Sequence, residues 1–185
     1  MASPIGHTLG GLLVYTAGTG KKLHWLALTG ALLFSVLPDI DFLFGFIIGE
    51  PNRYHHGFTH SLVFVTLAGS LGAWLCSFKN LKMFRMYWII FVLSGLSHLL
   101  FDIFTIDNNP PFGAPLLWPF SNHYYIIPVR LFTDMHRAAD SSHFIKSLFN
   151  PHNGMAVVRE IYLVLPLVII TFWLKKRFSG NEVQK

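Results

Sequence analysis

Two apolar runs, Ser61 to Phe78 and Met86 to Phe104, approach the roughly 20 residues an α-helix needs to cross about 30 Å of hydrocarbon, and they restrict the fold more than any other feature. A third run, Leu23 to Leu37, resumes after an acidic interruption and continues to Ile48, and a shorter one covers Ile161 to Leu174. Inside lipid the backbone amides of a spanning segment must find partners within the protein, so runs of this length predict an all-α, multi-pass transmembrane bundle with four to five membrane helices. Composition agrees: 52% of residues are hydrophobic and only 12% charged, against about 25% charged in an average soluble domain. One domain is expected over residues 1–185. Its motif-bearing part covers 3–120, a long irregular or helical extramembrane loop 106–159, and the last membrane helix 161–174.

Several residues mark breaks. Pro38 disfavours the helical conformation at Leu37 and should end or kink the first span, and Pro166 should bend the last. Thr8 to Gly18 reads as a short helix or a re-entrant piece, and proline-rich Asn108 to Pro119 as a fixed irregular loop. The single cysteine, Cys76, allows no disulfide within the chain and no thiolate metal cluster. A net charge of +5 raises the question of nucleic acid, but the cations form no stripe with interleaved aromatics, so no nucleic-acid partner is expected. They read instead as orientation signals. Lys21 and Lys22, then Lys79, Lys82 and Arg85, then Lys175, Lys176 and Arg177 can all share the cytoplasmic side, although Arg130, Arg137, Lys146 and Arg159 in the long loop blunt the asymmetry. This places Asp39 and Asp41, the segment Tyr54 to Ser61, the end of the third span and the long loop together on the opposite, non-cytoplasmic face, joined by His7 if Thr8 to Gly18 crosses.

The polar residues on that face carry the chemistry. His98 and Asp102 lie four apart and share one helix face. An ionised Asp near the bilayer centre costs about 2.5–3.5 kcal/mol on insertion scales, so such residues pair, face water or bind an ion. Asp39 and Asp41 follow the proline break, and His55, His56 and His60 precede the second span, where Gly57 signals a turn and Thr59 or Ser61 a helix cap. Imidazole and carboxylate together suit zinc, with manganese or iron as alternatives. His24, His143 and His152 read as surface histidines. Trp25, Trp74, Trp88, Trp118 and Trp173 read as interfacial anchors, and Ser94-Gly95 as close helix packing.

At these residues the chain resembles the membrane-bound metal-dependent hydrolases of the YdjM type, a family of bacterial and archaeal inner membranes. The matching pieces are Ser3-Pro4-Ile5-Gly6-His7, Leu37-Pro38-Asp39-Ile40-Asp41, His55-His56-Gly57-Phe58-Thr59-His60-Ser61, Ser97-His98-Leu99-Leu100-Phe101-Asp102 with Thr105, and Gly113-Ala114-Pro115-Leu116-Leu117-Trp118-Pro119-Phe120. They follow the family's order over roughly two thirds of the chain, with His56 standing where the family usually has arginine. The order of donors also looks distantly like that of the zinc-dependent phospholipase C and P1 nuclease group. By that resemblance Asp39 or Asp41, His60, His98 and Asp102 hold one metal, and His7 with a bridging Asp102 helps hold a second. The candidate donors are thus His7, Asp39, Asp41, His55, His60, His98 and Asp102, serving one to three divalent ions. His123, His136 and Asp140 are outlying candidates to complete the cluster, and Trp118-Pro119-Phe120 a candidate roof.

These readings predict a hydrolase of the inner membrane that acts on a phosphate ester or lipid-linked substrate. A divalent ion lowers the pKa of water to about 7, Asp39 or Asp41 is placed to act as general base, and Arg53 or His56 to hold a phosphate. The competing classes are an ion- or proton-coupled transporter, since intramembrane Asp and His also mark transport paths, and a scaffold with a structural metal. The expected partner is membrane lipid.

Overall fold

A computed structural model describes residues 1–19, 24–105 and 111–178. The fold is all-α. Helix α1 covers Pro4–Gly18, α2 Trp25–Val36, α3 Asp41–Ile47, α4 Leu62–Ser77, α5 Phe84–Ile103, α6 Ser141–Ser147 and α7 Pro151–Phe178. Ser3 caps α1 by accepting from Gly6 N–H, with Pro4 opening the first turn, where its missing N–H costs nothing. Ser61 caps α4 by accepting from Phe64 N–H at 3.1 Å, whereas Thr59 turns its hydroxyl elsewhere. Pro38 sits in the 3-10 turn Leu37–Ile40, which separates α2 from α3 as the proline break predicts.

The helix α5 is the centre of the bundle and packs on α1, α2 and α4, while α1 also packs on α2 and α7. Small residues set these approaches. A Cβ added to Gly30 of α2 would stand 2.0 Å from the Phe91 ring of α5, and one at Gly95 of α5 would stand 2.5 Å from Val65 of α4. Lipid offers no hydrophobic drive between helices, so close van der Waals contact of this kind must supply the attraction. Phe91 fills the middle, fully buried and stacked on Phe34 at 4.7 Å. The expected role of Ser94-Gly95 in packing is what the contacts show.

Trp25–Ile47, Leu81–Ile103 and Pro151–Arg177 are long and apolar enough to cross a membrane, and α4 is a shorter apolar helix. Only 22% of the last of these is buried, so most of its surface needs an apolar surrounding. Leu33, Leu67, Leu71, Trp74, Tyr162 and Phe172 add to an exposed apolar mantle far beyond the patches a soluble monomer tolerates.

Two expectations are corrected. The last helix begins at Pro151, not Ile161, because Arg159 and Glu160 interrupt its hydropathy without interrupting its helix; the loop therefore ends at about residue 150. Thr8 to Gly18 is the body of a regular helix that starts four residues earlier. Lys21, Lys22 and Asn108 lie outside the described residues. From residue 111 to 140 the loop is irregular as expected, and it is tied to the bundle: Leu62 N–H donates to Leu116 O at 2.9 Å and Ile127 N–H to Ile103 O at 2.9 Å, while Ala114 pairs with Tyr125 within the loop.

Candidate metal centre

The turns around Pro38 and Gly57 bring three distant segments to the C-terminal half of α5. His98 and Asp102 lie one turn apart there, with Nε2 and Oδ2 at 3.1 Å. Asp39 Oδ1 stands 3.7 Å from both His60 Nε2 and His98 Nε2, His60 Nε2 stands 3.5 Å from Asp102 Oδ2, and the two Nε2 atoms lie 3.2 Å apart. Donors held about 2.0–2.1 Å from a tetrahedral ion stand about 3.3–3.4 Å from one another. His60 Nε2, His98 Nε2 and Asp102 Oδ2 therefore have the mutual spacing of three ligands of one tetrahedral ion, and Asp39 Oδ1 stands beside the two imidazoles.

The other ring nitrogens explain why these atoms point inward. His98 Nδ1 lies 2.8 Å from Ser35 O; a carbonyl only accepts, so Nδ1 carries the proton and donates, leaving Nε2 as a lone pair. His60 Nδ1 is held 3.1 Å from Asp41 Oδ2, which also accepts from Thr59 Oγ1 at 3.0 Å. Asp41 thus orients a histidine, the carboxylate–histidine arrangement that fixes ring and tautomer at metal sites. Burial alone pushes the His60 imidazole down, yet the carboxylates of Asp39 and Asp41 beside it outweigh that and raise its pKa to about 10. The carboxylates demand positive charge between them. His55 has the opposite fate: burial, and then its cationic neighbours, push its pKa well down.

His7, fully buried, stacks on His98 with ring centroids 3.7 Å apart and brings Nε2 to 3.5 Å from Asp102 Oδ1. His55 approaches Asp41 Oδ1 at 3.3 Å and Asp39 Oδ1 at 3.8 Å. His56 adopts a left-handed backbone, φ 58°, so the chain turns at His56-Gly57 and the rings of His55, His56 and His60 gather within 5.0 Å of one another instead of following a helix. Both ring nitrogens of His7, together with Asp39 Oδ1, Asp102 Oδ2 and His55 Nε2, are buried with no hydrogen-bond partner among the described residues. Buried polar atoms are normally satisfied, and a cation placed among these could satisfy several of them at once. The residues present fit a divalent metal, and overlapping groups of His and Asp here could hold one.

All seven expected metal donors thus converge, as does His56. The outlying candidates do not. His123 is exposed and packs on Tyr125. Asp140 is exposed and caps α6, held to about pH 2 by its hydrogen bonds from Ser142 and His143. His136 stacks instead on His152, centroids 3.6 Å apart, beside Asp134, so His152 is half-buried rather than a surface histidine. Arg53 pairs with Glu50 at 3.0 Å and is more than half exposed, so it is not directed at the donors. Trp118 packs on Phe58, and Phe120 is 87% exposed, which makes neither a roof.

Glu160 escaped the sequence reading. Fully buried on α7, it accepts from Ser3 N–H at 2.6 Å and from Ser3 Oγ, and so bolts the start of α1, one turn before His7, to the last helix. The only signal for it was an acidic residue at the edge of an apolar run.

The model of the YdjM inner membrane protein family matches residues 1–179. The chain belongs to this family. Inner membrane protein YbcI of Escherichia coli (strain K12) is 35% identical over 107 residues, which cover 55% of this chain and 58% of that protein, so the match spans little more than half of the relative's length. No solved structure matches.

Proposed function

We propose that this YdjM-family chain is a multi-pass inner-membrane hydrolase that uses a divalent metal, zinc being the best fit, to cleave a membrane-resident phosphate ester. The observation that supports it is the convergence of Asp39 Oδ1, His60 Nε2, His98 Nε2 and Asp102 Oδ2 from three segments of the chain, with His60, His98 and Asp102 spaced 3.1–3.5 Å apart and Asp39 Oδ1 3.7 Å from both imidazoles. When bound, the ion polarises a phosphoryl oxygen and brings water to a pKa of about 7. His60 and His98 hold it through Nε2, their orientation set by Asp41 and Ser35 O. His7 and Asp102 Oδ1 supply the beginnings of a second site. Asp39, with 13% of its side chain exposed, borders open cavities, which makes it the carboxylate able to take the proton as water adds to phosphorus and the ester oxygen departs. The basic residues between and after the spans support a non-cytoplasmic face for this site.

Bis(p-nitrophenyl) phosphate supplied to the zinc-loaded protein in detergent should release p-nitrophenol, and His98→Ala with Asp102→Ala should abolish the release. Full activity in the double variant rules the reading out. Asp41→Asn is expected to weaken zinc binding about 10- to 100-fold through misorientation of His60, read by competition with a chelating dye. An unchanged affinity would detach Asp41 from that role.

One observation favours a second reading. Asp39 Oδ1 lies 3.7 Å from both His60 Nε2 and His98 Nε2; were it to join them and Asp102 on the ion, every position would be filled by protein, the mark of structural zinc, whereas catalytic zinc keeps a position open. A protein that loses thermal stability on chelation but hydrolyses no phosphodiester would be a scaffold with a structural ion.

A further inference from the structure

Beside the donors lies a cavity of about 220 Å³ between α3, α6 and the start of α1. Phe42, Phe46, Phe144 and Leu148 make its walls apolar, while Asp39 and Arg137 bring charged side chains to its lining. Phe144 meets Phe42 at 5.5 Å and Phe46 at 5.0 Å, so α6 closes the chamber against α3. The volume lies below the usual 300–1,000 Å³ of a small-molecule pocket, so it accepts one end of a ligand, with room for roughly seven groups of about 30 Å³ each.

Arg137 is fixed at this wall. Its guanidinium lies over the Phe42 ring at 5.2 Å, and its Nε donates to Asn52 Oδ1 at 2.8 Å. Asn52 is itself anchored through Nδ2 to Ala138 O at 3.0 Å. The opposite party to Phe42 is His55, stacked at 4.3 Å, so one aromatic ring links the guanidinium to the histidine cluster. Leu43, Phe44, Ile47, Ile145 and Phe149, on the same two helices or just beyond α6, are exposed and apolar, which suits an amphiphilic ligand. A guanidinium fork matches phosphate geometry, and an aromatic-walled chamber matches a methylene chain.

We propose that this chamber is the recognition site for an amphiphilic phosphate ester: Arg137 grips the phosphate beside Asp39, and Phe42, Phe46 and Phe144 enclose the first methylenes of its alkyl chain. The proposal rests on the hydrolase reading for its purpose and names the substrate class of that site. Arg137 takes the anion-binding role that the sequence suggested for Arg53.

Calorimetric titration of the zinc-loaded full chain in neutral detergent tests it, with hexyl phosphate and inorganic phosphate as probes. Hexyl phosphate should bind at least about tenfold more tightly than inorganic phosphate, and Arg137→Ala should weaken both about 10- to 100-fold, as expected for loss of a charge-assisted hydrogen bond. Arg137→Lys should recover part of the loss, which a misfolded variant would not. Phe144→Ala should reduce the hexyl advantage and leave inorganic phosphate unchanged. Equal affinity for the two anions, absence of binding, or an Arg137→Ala protein that binds like the wild type would each overturn the proposal. Hexyl phosphate that binds through Arg137, in a protein that cleaves neither it nor bis(p-nitrophenyl) phosphate on prolonged incubation, would end the hydrolase reading and leave the binding site standing.

Discussion

His98→Ala is expected to weaken zinc binding by about 100-fold, with elemental analysis of the purified protein falling below one equivalent. Structural zinc in small domains binds with about 10–16 kcal/mol, which over four donors is about 3 kcal/mol per ligand, or roughly two decades of affinity. The loss should exceed that of a simple deletion, because His98 also holds Asp102 at 3.1 Å and carries the stacked ring of His7. Asp102→Asn removes a charge with little change of shape and should act in the same direction. His123→Ala, at an exposed position remote in role, is the control that keeps full affinity. Unaltered zinc content in both site variants would show that the convergence of donors has no metal to explain it.

Chelation is expected to lower the thermal midpoint by roughly 10 °C. An ion present at about 1,000 times its dissociation constant stabilises the folded chain by about 4 kcal/mol, and for a chain of this size each kcal/mol moves the midpoint by about 2–4 °C. The physical source is the buried charge. Asp39 Oδ1, Asp102 Oδ2 and both ring nitrogens of His7 are buried with no hydrogen-bond partner among the described residues, and the carboxylates of Asp39 and Asp102 crowd around the same imidazoles; an ion bound there would compensate them. Readdition of zinc should restore the midpoint, and calcium, which prefers more oxygen donors, should not. A protein proven to contain zinc whose midpoint ignores the chelator would place the ion outside this cluster.

Much of the fold was legible because its signals are local. Apolar runs announced α2, α4 and α5, the Leu37-Pro38 step announced the break before α3, and Ser61 announced its cap. The start of α7 was not legible, since Arg159 and Glu160 look like the edge of a membrane span; Glu160 is instead buried against Ser3, a partner more than 150 residues away. Arg53 or His56 was the expected phosphate holder; Arg53 pairs with Glu50 instead, whereas Arg137, remote in sequence, comes to lie over Phe42 through folding of the long loop.

The sequence by itself determined which atoms are available: carboxylates and imidazoles at the edges of apolar helices, in numbers that the membrane tolerates only if something compensates them. Spacing along one helix even paired His98 with Asp102. Only the tertiary structure decided how the donors divide their work. Asp39 Oδ1 faces the other donors while Asp41, two residues on, turns back to orient His60. The reason is one of range. Periodicity specifies direction along a single helix, but coordination depends on tenths of an ångström between atoms on α1, α5 and two turns, and those distances exist only once glycines such as Gly30 and Gly95 have let the helices close together.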